Sequence, residues 1–247
     1  MSIHCQLLIL ILALTLDVQG HEAVPHSRPY MVLLEQYMQN GKTTHCGGFL
    51  LNEDFVMTAA HCQARSYTAW LGVHNVHNSN GVQRISVEQT FPHEDYNETN
   101  LNNDIMLLKL SSKAKFSAKV RPIALAGQDV VSLPKSCIVS GWGRTDNNIP
   151  YMSVVLMETS VTLIDSKQCP NTNLYCSKGE TGPGKGDGGI PLVCEDGKAY
   201  GLVCYDFRPD SGGPEMKCYA KIPDYRSWID STIENALKGN IMFCLAS

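Results

Sequence analysis

The sequence Thr58-Ala-Ala-His61-Cys62 places a histidine beside a cysteine, and Cys46-Gly-Gly stands sixteen residues before Cys62. A bond between Cys46 and Cys62 would fix the loop that presents His61. A histidine alone is more often structural, but Asn103-Asp104 follows and puts an acid at the head of the apolar run Ile-Met-Leu-Leu-Lys-Leu. Three further motifs follow in order: Gly141-Trp-Gly, Gly186-Asp187 and Pro191-Leu-Val-Cys194. This ordered set decides the fold more than any single residue does.

Short β-rich runs broken by Gly, Pro, Asn and Asp fill most of the chain between residues 30 and 221. Such a series of short strands predicts an all-β fold, and with 43% hydrophobic residues the chain can build a large core. The C-terminal region differs, because its apolar residues recur at helical spacing and Gly239 then provides a stop signal. We therefore expect a helix over residues 225–238 and a tail over residues 239–247.

The apolar run Leu7 to Leu16 is too short to cross a bilayer. Small residues follow at Val18 and Gly20, so the run predicts a secretory signal peptide over residues 1–20, cleaved before His21. The protein is then secreted, to the extracellular space or a secretory granule, with no membrane span. The formal net charge is -4 without a block of like charge, so nucleic acid is not an expected partner.

Ten cysteines in an exported chain predict disulfides rather than metal thiolates. Cys5 leaves with the signal peptide, so the nine that remain include at least one that is unpaired or bonded to another molecule. Cys244 is the candidate, either capped in a disordered tail of a monomer or bonded to a partner in a disulfide-linked dimer. No metal or cofactor is expected, since His74-Asn-Val-His77 has no third ligand and predicts a solvated loop.

The ordered motifs resemble those of the chymotrypsin-like serine proteases over nearly the whole mature chain. Pro25-His-Ser-Arg-Pro-Tyr-Met and Leu71-Gly-Val-His-Asn resemble the granzyme and mast-cell protease branch. The resemblance implies one trypsin-like domain over residues 21–238, a double six-stranded β-barrel with barrels at about 21–118 and 119–224 and the site in the cleft between them. It also implies three disulfides: Cys46–Cys62, Cys137–Cys194 and Cys169–Cys176.

In this family a serine attacks the carbonyl, a histidine takes its proton and an aspartate orients the histidine. His61 and Asp104 match the histidine and the aspartate. The nucleophile does not match, because the family reads Gly-Asp-Ser-Gly-Gly-Pro where this chain reads Gly186-Asp187-Gly188-Gly189-Ile190-Pro191. Glycine has no atom that can attack, so Gly188 marks a degenerate nucleophile position within an oxyanion region of Gly186, Asp187 and Gly188.

Asp210-Ser211-Gly-Gly-Pro spells the missing motif further along the chain. It is followed by Glu-Met-Lys instead of an apolar strand, and only seventeen residues separate Ser211 from Trp228. This leaves no space for the two strands that should intervene, and the composition is typical of a surface turn. We therefore expect Ser211 to be a decoy.

A second departure concerns activation, which in the family frees an Ile or Val amine that pairs with the aspartate before the nucleophile. Asp187 is that aspartate, but the chain reads Asp17-Val-Gln-Gly where Ile-Ile-Gly-Gly is expected. No suitable amine can be made, so Asp187 must find another partner or lie in water. The oxyanion loop is expected to stay zymogen-like, which would remove the electrostatic part of catalysis.

A third departure lies in the specificity pocket, where Asp206 and Lys217 stand at wall positions that usually hold glycine. Their charged side chains could pair with each other and block the pocket. Cys204 replaces a position usually held by serine, and Cys218 lies on the strand expected beside it. We expect these two cysteines to form a bond across the pocket that the family lacks.

The leading hypothesis is a secreted pseudoprotease that acts, if at all, by binding a protein or peptide ligand through its loops. The alternative is an active serine endopeptidase of the granzyme type, which would need Ser211 or another unexpected nucleophile. A third possibility is a decaying duplicate, or an inaccurate gene model that lost the activation site, with no selected function. Asn97-Glu-Thr99 is a glycosylation sequon in a surface loop near Asp104.

Overall fold

The computed structural model describes residues 20–78, 80–128, 133–146, 148, 150–178, 182–209 and 212–245, with side chains up to residue 238. The predicted signal peptide, except Gly20, lies outside the described residues. Ser211 and the side chain of Cys244 also lie outside them.

The N-terminal half forms a closed six-stranded antiparallel barrel with the strand order β2-β3-β4-β7-β6-β5. Its side chains alternate along the strands as a half-buried sheet requires, so that Tyr67, Ala69 and Leu71 of β5 point into the core. The strands are β2 (Met31–Tyr37), β3 (Thr43–Leu50), β4 (Phe55–Thr58), β5 (Ser66–Leu71), β6 (Gln83–Pro92) and β7 (Met106–Leu110).

The C-terminal half forms a seven-stranded sheet with the order β1-β9-β8-β11-β12-β13-β10. Six of its strands curl into a second barrel, since a bridge between Leu163 and Ser177 links the end of β9 to β10. The seventh, β1, is a two-residue addition from the N-terminal segment that pairs with the outer edge of β9. The strands are β1 (His21–Glu22), β8 (Ser136–Gly141), β9 (Met157–Thr162), β10 (Leu174–Lys178), β11 (Pro191–Cys194), β12 (Ala199–Phe207) and β13 (Met216–Lys221).

The predicted all-β fold with two barrel-like sheets and a C-terminal helix is thus confirmed. The three disulfides that the family resemblance implied are also present: Cys46–Cys62, Cys137–Cys194 and Cys169–Cys176. Each bond restricts the unfolded chain and contributes about 2–5 kcal/mol to stability.

The helix is longer than the sequence pattern predicts. It runs over Arg226–Leu245 as α1, after a 3-10 turn at Ile222–Tyr225, and so passes through Gly239 into the residues expected to form a tail. A glycine inside a helix costs only about 1 kcal/mol relative to alanine, and no proline follows to end the helix. Among the described residues, no helix is long and apolar enough to cross a membrane.

The helix crosses back from the second barrel onto the first. Ile229 is fully buried in the core cluster that also contains the β2, β4 and β7 side chains. Trp228 lies with its ring 5.0 Å from that of His93, and its indole N–H donates to Glu94 at 2.9 Å. The helix therefore ties the C-terminus to the barrel that carries the histidine and the aspartate.

The two barrels also meet at a close backbone contact beside the predicted site. The amide of Gly47, on β3, donates to the carbonyl oxygen of Gly188 at 2.9 Å. A Cβ atom on Gly47 would lie 2.1 Å from Cγ2 of Ile190, which is buried in the second barrel. Only glycine at this point lets the two halves approach so closely.

The substitution Gly47→Ala should therefore destabilise the protein by about 1–3 kcal/mol, because Ile190 and the β3 backbone must move apart. Chemical denaturation of the purified protein measures the change. Gly213→Ala is the matched control, since its Cβ would meet only Pro209 at an ordinary 3.5 Å. The control should change stability by no more than about 0.5 kcal/mol. Equal effects of the two substitutions would contradict the importance of this contact.

Candidate active site

His61 lies in a single 3-10 turn, Ala60–Cys62, that follows β4. The Cys46–Cys62 disulfide ties this turn to β3, so the histidine backbone is held on both sides. The hydroxyl of Tyr67, on β5, donates to the carbonyl oxygen of Cys62 at 3.1 Å and anchors the end of the turn. The histidine is thus presented by a rigid part of the first barrel.

Asp104 is buried immediately before β7, with only 1% of its surface exposed. One carboxylate oxygen accepts the backbone N–H of His61 at 2.8 Å, and the other lies 2.7 Å from Nδ1 of the same residue. This two-point contact fixes the imidazole, whose Nε2 then faces the cleft between the barrels. The two residues that match the histidine and the aspartate of the family motif are therefore in direct contact.

Gly188 lies next to the His61–Asp104 pair, with its Cα opposite Nε2 of His61. A Cβ atom built on Gly188 would be 2.3 Å from Nε2 and 2.8 Å from Cε1 of that ring. Real Cβ atoms do not approach a neighbour so closely, so the imidazole occupies part of the space that a serine side chain needs. At position 188 itself, the structure thus places the His61 imidazole beside a residue that has no side-chain nucleophile.

Asp187 is buried beneath this loop, and its partners are two backbone amides. One carboxylate oxygen accepts the N–H of Gly143 at 2.7 Å, and the other accepts the N–H of Gly184 at 2.9 Å. The sequence alone does not reveal these partners, although Gly141-Trp-Gly is a family motif. The structure explains its glycines, because a Cβ on Gly141 or Gly143 would lie only 2.0 or 2.3 Å from the carboxylate.

The oxyanion region itself is formed by backbone. Gly186 has a φ of +100°, a left-handed conformation that favours glycine. Among the hydrogen bonds of the described residues, none uses the amide N–H of Gly186 or of Gly188.

The charged residues of the predicted pocket walls do pair. Asp206 on β12 lies directly opposite Lys217 on β13, and Nζ of Lys217 donates to its carboxylate at 2.8 Å. Glu215 is a second partner at 3.2 Å, which the sequence analysis missed. The lysine stem lies beside Gly182, since a Cβ atom on that glycine would be 3.0 Å from Cγ of Lys217.

The predicted Cys204–Cys218 bond is wrong, because both thiols are free in the structure. An irregularity in β12 between Val203 and Tyr205 places Tyr205, not Cys204, opposite Cys218. The sulfur of Cys204 instead lies 3.7 Å from the backbone oxygen of Asp104, in the core shared with the first barrel. The sulfur of Cys218 lies in a separate cluster with Leu174, Cys176 and Met216.

The prediction of a solvated loop at His74-Asn-Val-His77 is also wrong for its first residue. His74 is buried, its Nε2 lies 2.8 Å from Glu22, and its carbonyl oxygen accepts the indole N–H of Trp142 at 3.1 Å.

In the described part of the chain, one group of three side chains has ligand atoms close enough to hold a metal ion: Cys46, His61 and Cys62. Its two sulfurs are bonded to each other, so they are not thiolate ligands.

Asn97 is exposed on the loop before Asp104, as a glycosylation sequon requires. Its side-chain oxygen accepts the amide of Thr99 at 2.9 Å, which orders the sequon as a turn. Ser211, the residue that an active enzyme would need, lies outside the described residues.

Comparison with known proteins finds relatives over nearly the whole chain. The profile of the family described as Trypsin matches residues 17–229, and its match begins four residues before the predicted mature N-terminus. Mouse "Granzyme B(G,H)" is 38% identical over 252 residues, which cover 94% of this chain and all of the relative. Bovine "Duodenase-1" is 42% identical over 87% of this chain and 88% of its own length.

A solved structure described as "Structure of GrC" superposes with a TM-score of 0.78 at 36% identity, covering 88% of this chain and 99% of that one. The likeness therefore extends over both barrels and is close in sequence as well as in shape. The chain belongs to the trypsin family of chymotrypsin-like serine proteases, within its granzyme branch.

Proposed function

We propose that this protein is a secreted pseudoprotease, which keeps the trypsin-like scaffold and binds a protein or peptide ligand through its loops without cutting it. The observation that carries the proposal is the glycine at position 188, directly opposite Nε2 of His61. A histidine base acts on peptide bonds in this family by taking a proton from a hydroxyl at that point. Gly188 offers no proton and no attacking atom.

The magnitude of the loss supports the same conclusion. In subtilisin, which uses the same three catalytic groups, removal of the serine alone lowers turnover about a million-fold. The remaining His61–Asp104 pair cannot compensate, because it activates a nucleophile and does not replace one. Residual hydrolysis would come only from ligand binding and from backbone donors in the oxyanion region.

The sequence before His21 gives separate support, because it lacks the Ile-Ile-Gly-Gly that would supply an amine to Asp187. In an activated relative its carboxylate would pair with a newly formed amine, whereas here it is held by the N–H groups of Gly143 and Gly184. His21, the expected first residue of the mature chain, lies on the exposed strand β1. Burial without a neighbouring cation raises the pKa of Asp187 to about 6, although the two amides partly oppose this.

The paired pocket walls fit a protein that no longer selects a side chain for cleavage. Lys217 is held by both Asp206 and Glu215, so a ligand must displace these ion pairs to reach it. Ligand binding is therefore proposed to use the surface loops around the cleft. Among these is the Asn97 loop, where we propose a glycan.

The predicted signal peptide over residues 1–20 supports secretion, to the extracellular space or a secretory granule. A monomer without metal or cofactor is the proposed state, with the three disulfides closed as in an oxidising compartment.

Fluorophosphonate labelling tests the proposal directly, because this probe forms a covalent adduct with activated serines. The folded, secreted protein should take up no probe, as read by intact mass, while an active trypsin-family enzyme in the same tube is labelled. Peptide mapping would locate any adduct. An adduct at Ser211 would make the protein an endopeptidase with a relocated nucleophile and would end the pseudoprotease proposal.

Restoring the serine with Gly188→Ser should give little peptidase activity. The new side chain collides with the His61 ring, which Asp104 holds at two points, and neither the amine for Asp187 nor an open pocket is restored. Hydrolysis of a broad peptide library by wild type and variant measures the effect. Gly188→Ala is the matched control for the collision and should destabilise the fold by about 1–3 kcal/mol, as the serine does. High turnover by Gly188→Ser would mean that Asp187 and the pocket do not limit activity.

The partners of Asp187 lead to a pH test. Its carboxyl keeps its proton up to about pH 6 when folded but ionises near pH 4 when unfolded, so the native state binds more protons between these values. Wild type should therefore lose stability relative to Asp187→Asn as the pH rises from 4 to 6, by up to about 1.4 kcal/mol per pH unit. Denaturant unfolding at each pH measures the difference.

Asp95→Asn is the control for that test, since the Asp95 carboxyl is exposed. It should follow wild type across the range. A cation bound to Asp187 would lower the pKa of its carboxyl and reverse the sign, so wild type would then gain stability with rising pH. That result would contradict the absence of an activating amine.

A further inference from the structure

Three sulfur atoms lie together on the outer side of the second barrel. Cys169 and Cys176 form a disulfide, and the free thiol of Cys218 lies 3.9 Å from the sulfur of Cys176. Cys176 and Cys218 are both fully buried, whereas Cys169 is half-buried at the end of the 3-10 turn Ser166–Gln168. A thiol thus faces a disulfide at close range, with one of the bonded sulfurs near the surface.

The backbone would allow a different bond in this cluster. Cys176 on β10 and Cys218 on β13 are direct partners in an antiparallel ladder that is regular from Leu174 to Lys178. Opposed residues in such a ladder have Cα atoms about 4.5–5.5 Å apart, which lies within the range that disulfides span. A Cys176–Cys218 bond therefore needs rotation of side chains and no shift of strands.

We propose that Cys218 exchanges with the Cys169–Cys176 disulfide and thereby makes Cys169 a latent modification site for soft electrophiles. The Cys218 thiolate attacks the sulfur of Cys176, the Cys176–Cys218 bond forms, and the Cys169–Cys176 bond breaks. Cys169 leaves as a thiolate, and the proton lost by Cys218 passes to solvent. One disulfide replaces another, so the step needs no oxidant or reductant, and the Cys169 thiolate then displaces the leaving group of the electrophile.

The ring sizes favour the exchanged bond. The observed disulfide joins residues 7 positions apart, whereas Cys176–Cys218 would join residues 42 positions apart. In the chain-entropy account of disulfides, the larger ring restricts the unfolded chain more and stabilises the fold more. The exchange would also release the turn at Ser166–Gln168 from β10.

The surroundings of Cys218 make the exchange slow at neutral pH. Burial, with the negative charge of Asp206 as a second cause, raises the pKa of its thiol to about 12. Cys204, Tyr205 and Tyr219 also lie near Cys218 and bring no positive charge. The positive charge of Lys217, the preceding residue, is paired with Asp206 and Glu215. Only the thiolate attacks. While the pH is below the pKa of Cys218, the exchange rate should therefore rise about tenfold for each unit of increase in pH.

The test uses the full secreted chain carrying Cys244→Ala, which removes the thiol of the C-terminal segment. The protein is incubated with iodoacetamide and no added thiol at pH 7, 8 and 9, then digested without reduction and mapped by mass spectrometry. The expected product carries the alkyl group on Cys169 and a Cys176–Cys218 bond, and it forms about a hundred times faster at pH 9 than at pH 7.

Cys218→Ala in the same chain should abolish alkylation of Cys169. Cys204→Ala is the matched control, because it removes the other buried free thiol, whose sulfur lies in a different cluster, and it should leave alkylation of Cys169 unchanged. Alkylation of Cys218 with the Cys169–Cys176 bond intact would overturn the proposal, as would no reaction of Cys169 at pH 9.

A second variant allows the proposal to be tested even if Cys218→Ala does not fold. Cys169→Ala, refolded in a mixture of reduced and oxidised glutathione, should close the Cys176–Cys218 bond. Free thiols on both Cys176 and Cys218 in the folded variant would contradict the proposed geometry. The exchange uses no group of the His61 site, so its failure would leave the pseudoprotease proposal untouched, and fluorophosphonate labelling would not bear on it.

Discussion

The hydrogen bond from the amide of Gly47 to the carbonyl oxygen of Gly188 holds the two barrels together at the point where the site is built. It requires a backbone approach so close that a Cβ on Gly47 or Gly189 would overlap its neighbours. Since His61 and Asp104 come from the first barrel and the Gly186–Gly189 loop from the second, the mutual position of these groups depends on this contact. Gly47 and Gly189 are needed for this close packing of the two barrels. Gly188 lies beside them, at the position where the family motif has its serine.

The site combines a well-ordered base with a missing nucleophile. Asp104 still orients His61 through two contacts, so loss of the serine has not loosened the scaffold around it. A buried carboxyl at Asp187 is satisfied by backbone amides, at the energetic cost of holding a group whose charged form burial disfavours. The protein thus keeps the fold of the trypsin family and the contact between His61 and Asp104, with a glycine at position 188.

Much of the fold and part of the site could be predicted from the sequence, because motif order along the chain carries both. The strand-rich pattern, the three disulfides and the proximity of His61 to Asp104 are of this kind. The Cys204–Cys218 prediction failed because one irregularity in β12 shifts the register, which no local pattern reveals. His74 was placed in solvent because its partners, Glu22 and Trp142, are distant in sequence. The helix ran past Gly239 because glycine weakens a helix without ending it.

The sequence by itself determined the family, the barrel pair and the absence of a serine in the nucleophile motif, because each depends on which residues are present and in what order. Only the tertiary structure decided what surrounds those residues. It showed that the His61 ring fills the space beside Gly188, that Gly143 and Gly184 hold Asp187, and that Cys218 faces Cys176 rather than Cys204. The physical reason is that distances between side chains are set by strand register and barrel packing, which bring together residues tens of positions apart.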